Sequence, residues 1–141
     1  MARPNRLGIR GWLGGRSSGF ERWMYLLHRI SGLALLAYFV MHIFVTSARV
    51  LGPDSWQQTM AVFANPLFKG GEYLVFAAFA FHAVNGIRLH LVELGFAVGR
   101  PIEPVYPYAT SVGRQRGLAM AALAVAFLVA LWGGFDLVVG G

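Results

Sequence analysis

Three long apolar runs divide the chain, at about residues 24 to 47, about 73 to 95 and about 117 to 138. Each exceeds the ~20 residues that an α-helix needs to cross a ~30 Å hydrocarbon core, so the pattern predicts an all-α membrane protein with three transmembrane helices. The expected organisation is a basic segment over residues 1–22 followed by a three-helix transmembrane domain over 23–141. Gly14, Gly15, Ser17 and Ser18 mark a flexible join before the first helix, and Trp23 and Tyr25 stand where an interfacial aromatic belt belongs. Between the first two runs, LGPDSWQQTMAVFANPLFKGG predicts a short interfacial helix, capped by Asp54 or Ser55 and ended by Pro66. Pro101, Pro104 and Pro107 hold the following loop extended.

The third run, GLAMAALAVAFLVALWGG, has no charged or strongly polar side chain between Gly117 and Asp136, so it offers no ligand and no proton relay. Its pattern is one for packing. Ala122, Ala126, Ala130 and Gly134 recur every four residues, a stripe that lets a neighbouring helix come close where no water drives association. The neighbour is expected from this chain or from another.

Composition agrees with the pattern: 57% of the 141 residues are hydrophobic and 13% charged. The net charge of +6 would suit nucleic acid, but the basic residues, all arginine except Lys69, cluster beside the apolar runs. They set topology instead, and no nucleic-acid partner is expected. Arg3, Arg6, Arg10, Arg16, Arg22 and Arg29 lead into the first run, and Arg100, Arg114 and Arg116 lie between the second and third; the first loop has only Arg49 and Lys69. The positive-inside rule then puts the N-terminus in the cytoplasm and the C-terminus outside. The Arg-rich start, without an acid before Glu21, also fits a transit peptide, though Met1 favours a retained segment. With no cysteine, any redox centre must be held by other residues, which turns attention to histidine.

Along the first helix, His28, Ser31, Leu35, Tyr38 and His42 follow one face. At ~1.5 Å per residue His28 and His42 stand about 21 Å apart, His28 with Arg29 near the cytoplasmic border and His42 in the outer half. In the second helix His82, Asn85, Gly86, Leu89 and Glu93 share a face, and His90 is turned roughly 80° from His82. Counted inward from Tyr73, His82 is about 13 Å deep, near the middle of the bilayer. Gly86 would leave a flat space beside its imidazole. An ionisable side chain at that depth needs a partner. For His82 the spacing and depth favour an axial bond to a b-type haem over an interhelical hydrogen bond. For His42 metal ligand and helix glue stand equal, and His90 reads as an interface residue. Arg29 and Arg88 either snorkel to phosphates or meet a haem propionate or quinone carbonyl.

HRISG at residues 28–32, FHAVNGIR at 81–88 and Glu93 closely resemble the cytochrome b membrane-anchor subunit of succinate dehydrogenase, respiratory complex II. The resemblance covers about residues 22 to 100. It implies a helical bundle completed by a second membrane-anchor subunit, and it makes His82 an axial ligand of haem b whose other ligand comes from that partner. It also assigns His28, Arg29 and Ser31 to the quinone site and the haem surroundings. Two departures stand out. Tyr25 occupies the position of a quinone-contacting Ser in single-haem members, and Leu89 replaces their His after GIR, so His90 inherits no role. His42 resembles the first-helix His of relatives with two haems, which makes a second haem iron on His42 a live expectation.

By the same resemblance, flavoprotein and iron–sulfur subunits oxidise succinate and pass electrons to a quinone at the cytoplasmic edge of the anchor. The setting implied is a bacterial cytoplasmic membrane, with Tyr25, Arg29 and Ser31 at the quinone and His82, His28, Arg29, Gly86 and His42 around haem. This chain alone would hold no complete active site. A fumarate reductase anchor, or that of another haem b quinone oxidoreductase, is the alternative. A haem-free structural anchor and a small transporter subunit are further readings; the transporter lacks a carboxylate at mid-membrane, since Glu93 and Asp136 lie near helix ends.

Overall fold

The computed structural model describes residues 19–98 and 112–139. The flexible join, the three loop prolines and most of the basic N-terminal segment lie outside them.

Helix α1 spans Phe20–Ser47 and tightens into a 3₁₀ turn at Ala48–Leu51. Gly52 then turns the chain at φ 107°, a conformation that disfavours any residue with a Cβ. Pro53 occupies the first turn of the short helix α2, Pro53–Phe63, where its missing N–H costs nothing. Asp54 lies within that first turn, so the cap expected at Asp54 or Ser55 falls to Gly52, which makes no side-chain bond.

Helix α3 spans Pro66–Glu93 and starts seven residues before the apolar run suggested. The reason is local: Asn65 accepts a hydrogen bond from the Leu67 N–H at 2.9 Å through Oδ1, and Pro66 follows at the first helical position. That pair begins a helix rather than merely ending the one before. The far end closes with Gly95 at φ 93°, where Phe96 N bonds Leu91 O and Gly95 N bonds Val92 O, each at 3.0 Å. This double bond pattern caps the last carbonyls of the helix. Helix α4 covers Val112–Val139.

Three helices are long and apolar enough to cross a membrane: Phe20–Leu51, Pro66–Glu93 and Gly113–Val139. Helix α3 is central, packed on α1 along one side and on α4 along the other. The small-residue stripe of α4 finds its neighbour within the chain. Ala119, Ala122 and Ala126 are buried, while Gly133 and Gly134 lie against the Phe76 and Tyr73 rings of α3. At the opposite end Arg116 Nε reaches Glu21 Oε1 at 3.8 Å, tying the first turns of α4 and α1 together.

Candidate functional site

The α1–α3 contact is built around two histidines. The rings of His28 and His82 stack with centroids 4.0 Å apart and planes within 5°. Glycines on the opposite helices make the approach feasible. A methyl placed on Gly32 would stand 2.8 Å from His82 Cε1, and one on Gly86 would stand 3.6 Å from His28 Cε1. The flat space expected beside His82 at Gly86 is therefore filled by His28, and the glycine that admits His82 is Gly32. The stack also puts His28 level with His82, whereas counting from assumed helix ends placed His28 near the border and His82 near mid-membrane. Both helices begin earlier than their apolar runs, which changes those counts.

Hydrogen bonding fixes the His82 ring. Its Nδ1 lies 3.0 Å from the His28 carbonyl and 3.1 Å from Ser31 Oγ. The Ser31 hydroxyl donates its own hydrogen to the same carbonyl at 3.0 Å, so its oxygen is left to accept. Both contacts to His82 then require a proton on Nδ1, and the neutral ring carries its lone pair on Nε2. Such an imidazole is a Lewis base at Nε2 with an anchored back.

Beside the stack lies a second polar pair. Arg88, for which snorkelling to phosphates and a haem propionate or quinone carbonyl were both open, is 7% exposed and donates from Nε to Asn85 Oδ1 at 2.9 Å. Asn85 is 1% exposed, and its Nδ2 and His28 Nδ1 are buried without a hydrogen bond. Buried polar atoms are normally paired, so this pocket of His28, Ser31, His82, Asn85 and Arg88 is polar beyond what helix packing needs. Asn85 stood out in the sequence as a polar residue on the His82 face, but no sequence signal separated Gly32 from its neighbours, because it acts through the His82 ring on the other helix.

The remaining expected residues lie elsewhere. Arg29 donates from Nη1 to the Tyr25 hydroxyl at 2.7 Å, with its guanidinium carbon 5.4 Å from the Tyr25 ring centre. Both side chains are exposed, whereas Ser31 is buried against α3, so the three residues assigned to a quinone are not gathered on one face. His42 borders a cavity of about 300 Å³ roofed by Trp56 and Met60 of α2, and its ring centre is 5.4 Å from that of Tyr38. His90 is exposed, 3.4 Å from Glu93 Oε2 through Nδ1. Among the described residues, no three His, Asp or Glu side chains gather to chelate a bare metal ion.

Residues 15–131 match the succinate dehydrogenase/fumarate reductase transmembrane subunit family. The chain belongs to this family. It is 31% identical over 71 residues to the succinate dehydrogenase 2 membrane subunit SdhC of Mycobacterium tuberculosis, covering 50% of this chain and 52% of that protein. A succinate dehydrogenase hydrophobic membrane anchor subunit of Halobacterium salinarum is 31% identical over 74 residues, 52% of this chain and 57% of the relative. The corresponding subunit of Archaeoglobus fulgidus is 27% identical over 121 residues, 85% and 90% of the two chains. The chain thus spans little more than half the length of the first two relatives. The matched family region contains all of α1, α2 and α3 and therefore the whole histidine pocket.

Proposed function

We propose that this chain is a haem b-carrying membrane anchor of a succinate:quinone oxidoreductase. It would seat flavoprotein and iron–sulfur subunits on a bacterial cytoplasmic membrane and complete its bundle with a second anchor subunit. Family membership supports the anchor role. The observation that supports the haem is the geometry at His82 Nδ1, 3.0 Å from the His28 carbonyl and 3.1 Å from Ser31 Oγ: a carbonyl can only accept, so the proton belongs on Nδ1 and Nε2 is the nitrogen that can bind iron. Most protein imidazoles that ligate metals are braced in this way. The polar surroundings fit a group bearing carboxylates, since Arg88 supplies a buried positive charge and Asn85 Nδ2 an unused donor.

His82 would hold the iron through Nε2, and the partner anchor would supply the other protein ligand. A bound haem b would supply a one-electron carrier within the membrane. This chain's own residues then divide the work. His28 and Gly32 wall the His82 ring, Gly86 admits His28, and the exposed Tyr25–Arg29 pair offers a guanidinium and a phenol to a quinone carbonyl at the cytoplasmic edge. The family name spans both succinate oxidation and fumarate reduction, and a fumarate reductase anchor is the alternative reading.

The test is a dithionite-reduced minus oxidised spectrum of the complex purified through this chain, with haem counted by pyridine haemochrome. One haem b per complex, lost in His82→Ala, is the expected result. Two would assign His42 to the second iron, and none would leave a structural anchor and sink the cytochrome reading.

A further inference from the structure

We infer that Ser31 is a positioning residue for the His82 imidazole and not a quinone contact. The inference rests on the proposed ligation of haem iron by His82. It is carried by the geometry of one hydroxyl. Ser31 is 8% exposed in the single chain, already closed off by α1 and α3. Its hydrogen is committed to the His28 carbonyl at 3.0 Å, and its oxygen faces His82 Nδ1 at 3.1 Å. The residue has therefore spent its donor and one acceptor site inside the pocket. The Tyr25–Arg29 pair, which is exposed, lies on another face of α1. A quinone carbonyl only accepts, so it would engage Ser31 only by taking the hydrogen that the hydroxyl gives to the His28 carbonyl.

The arrangement also predicts what the hydroxyl does. An N–H···O bond at Nδ1 pushes electron density into the ring and makes Nε2 a stronger donor, which favours ferric over ferrous iron. Ser31 shares this role with the His28 carbonyl, so removing the hydroxyl leaves the ring held by one bond instead of two. Outer-shell partners of metal-bound histidines contribute about 10- to 100-fold in affinity, and a shared role puts Ser31 near the tenfold end.

The experiment uses the whole complex with Ser31→Ala and Ser31→Thr, after the wild type and His82→Ala have been assayed for haem. Haem potential is read by redox titration, ferric ligation by low-temperature electron paramagnetic resonance, and retention by transfer to an excess of apomyoglobin. Ser31→Ala is expected to raise the haem potential, shift the ferric signal and release haem about tenfold more readily. Ser31→Thr, which keeps the hydroxyl, should restore all three, and the KM for quinone should stay unchanged in both. A raised quinone KM with an unaltered haem signal would make Ser31 a quinone contact and overturn the inference, as would no change in any readout. Wild-type complex without haem, or haem retained in His82→Ala, would instead defeat the ligation on which the inference stands, before a Ser31 variant is made.

Discussion

Gly32 and Gly86 have the same side chain and opposite tolerances. Adding a methyl to Gly32 forces it to 2.8 Å from a ring atom of His82 that is itself held by two hydrogen bonds, so the ring cannot simply swing aside. Overpacking of this kind costs ~1–3 kcal/mol, more than the ~0.5–1 kcal/mol that Ala gains over Gly within a helix. The methyl at Gly86 meets His28 at 3.6 Å, an ordinary contact. Gly32→Ala should therefore lower the temperature at which the detergent-solubilised complex loses its haem spectrum, and Gly86→Ala should leave it unchanged or slightly higher. Equal behaviour of the two would contradict the reciprocal seating. Histidine, arginine and asparagine inside apolar runs could be picked out of the sequence, because polar groups are costly there. Gly32 could not, since a glycine's importance depends on what the opposite helix places over it.

Helix α4 illustrates a pattern whose meaning was legible but whose partner was not. Small residues at every fourth position announce close approach, and the approach proves to be to α3, most tightly at Gly133, where a methyl would overlap the Phe76 ring. Gly133→Ala is expected to destabilise the helix pair by ~1–3 kcal/mol. Combining it with Phe76→Leu should recover part of the loss, a non-additivity measurable by a double-mutant cycle on thermal aggregation in detergent. Full additivity would place the two residues out of contact. The stripe expected at Ala122, Ala126, Ala130 and Gly134 extends to Ala119, which is completely buried. At the other end of the bundle, α2 and α3 begin where Gly52–Pro53 and Asn65–Pro66 dictate. Those start signals are local, but the apolar run alone hides them: Lys69, Gly70, Gly71 and Glu72 lower its hydropathy and move its apparent start to residue 73.

Across the whole molecule, three antiparallel helices put the α2 segment at one end and the joined first turns of α1 and α4 at the other. The arginine-rich flanks predict an N-terminus in the cytoplasm, and the absence of cysteine makes that orientation simple to test. Asp54→Cys should react with a membrane-impermeant thiol reagent in sealed right-side-out vesicles, and Phe96→Cys only after permeabilisation; the reverse would invert the topology. Both positions are exposed in the chain. By itself the sequence determined three membrane-crossing helices, their basic flanks, and the polar side chains that interrupt the apolar runs. These follow from solvent transfer and from 3.6-residue periodicity, which act within one segment. Only the tertiary structure decided that His28 stacks on His82, that Gly32 admits the ring, that Ser31 and a backbone carbonyl set its tautomer, and that Arg88 turns inward to Asn85. Each of these depends on the axial offset between helices, or on the turn of a side chain within the packed bundle. The close packing of bulk and glycine across the interface sets those quantities, and they leave no local trace in the sequence.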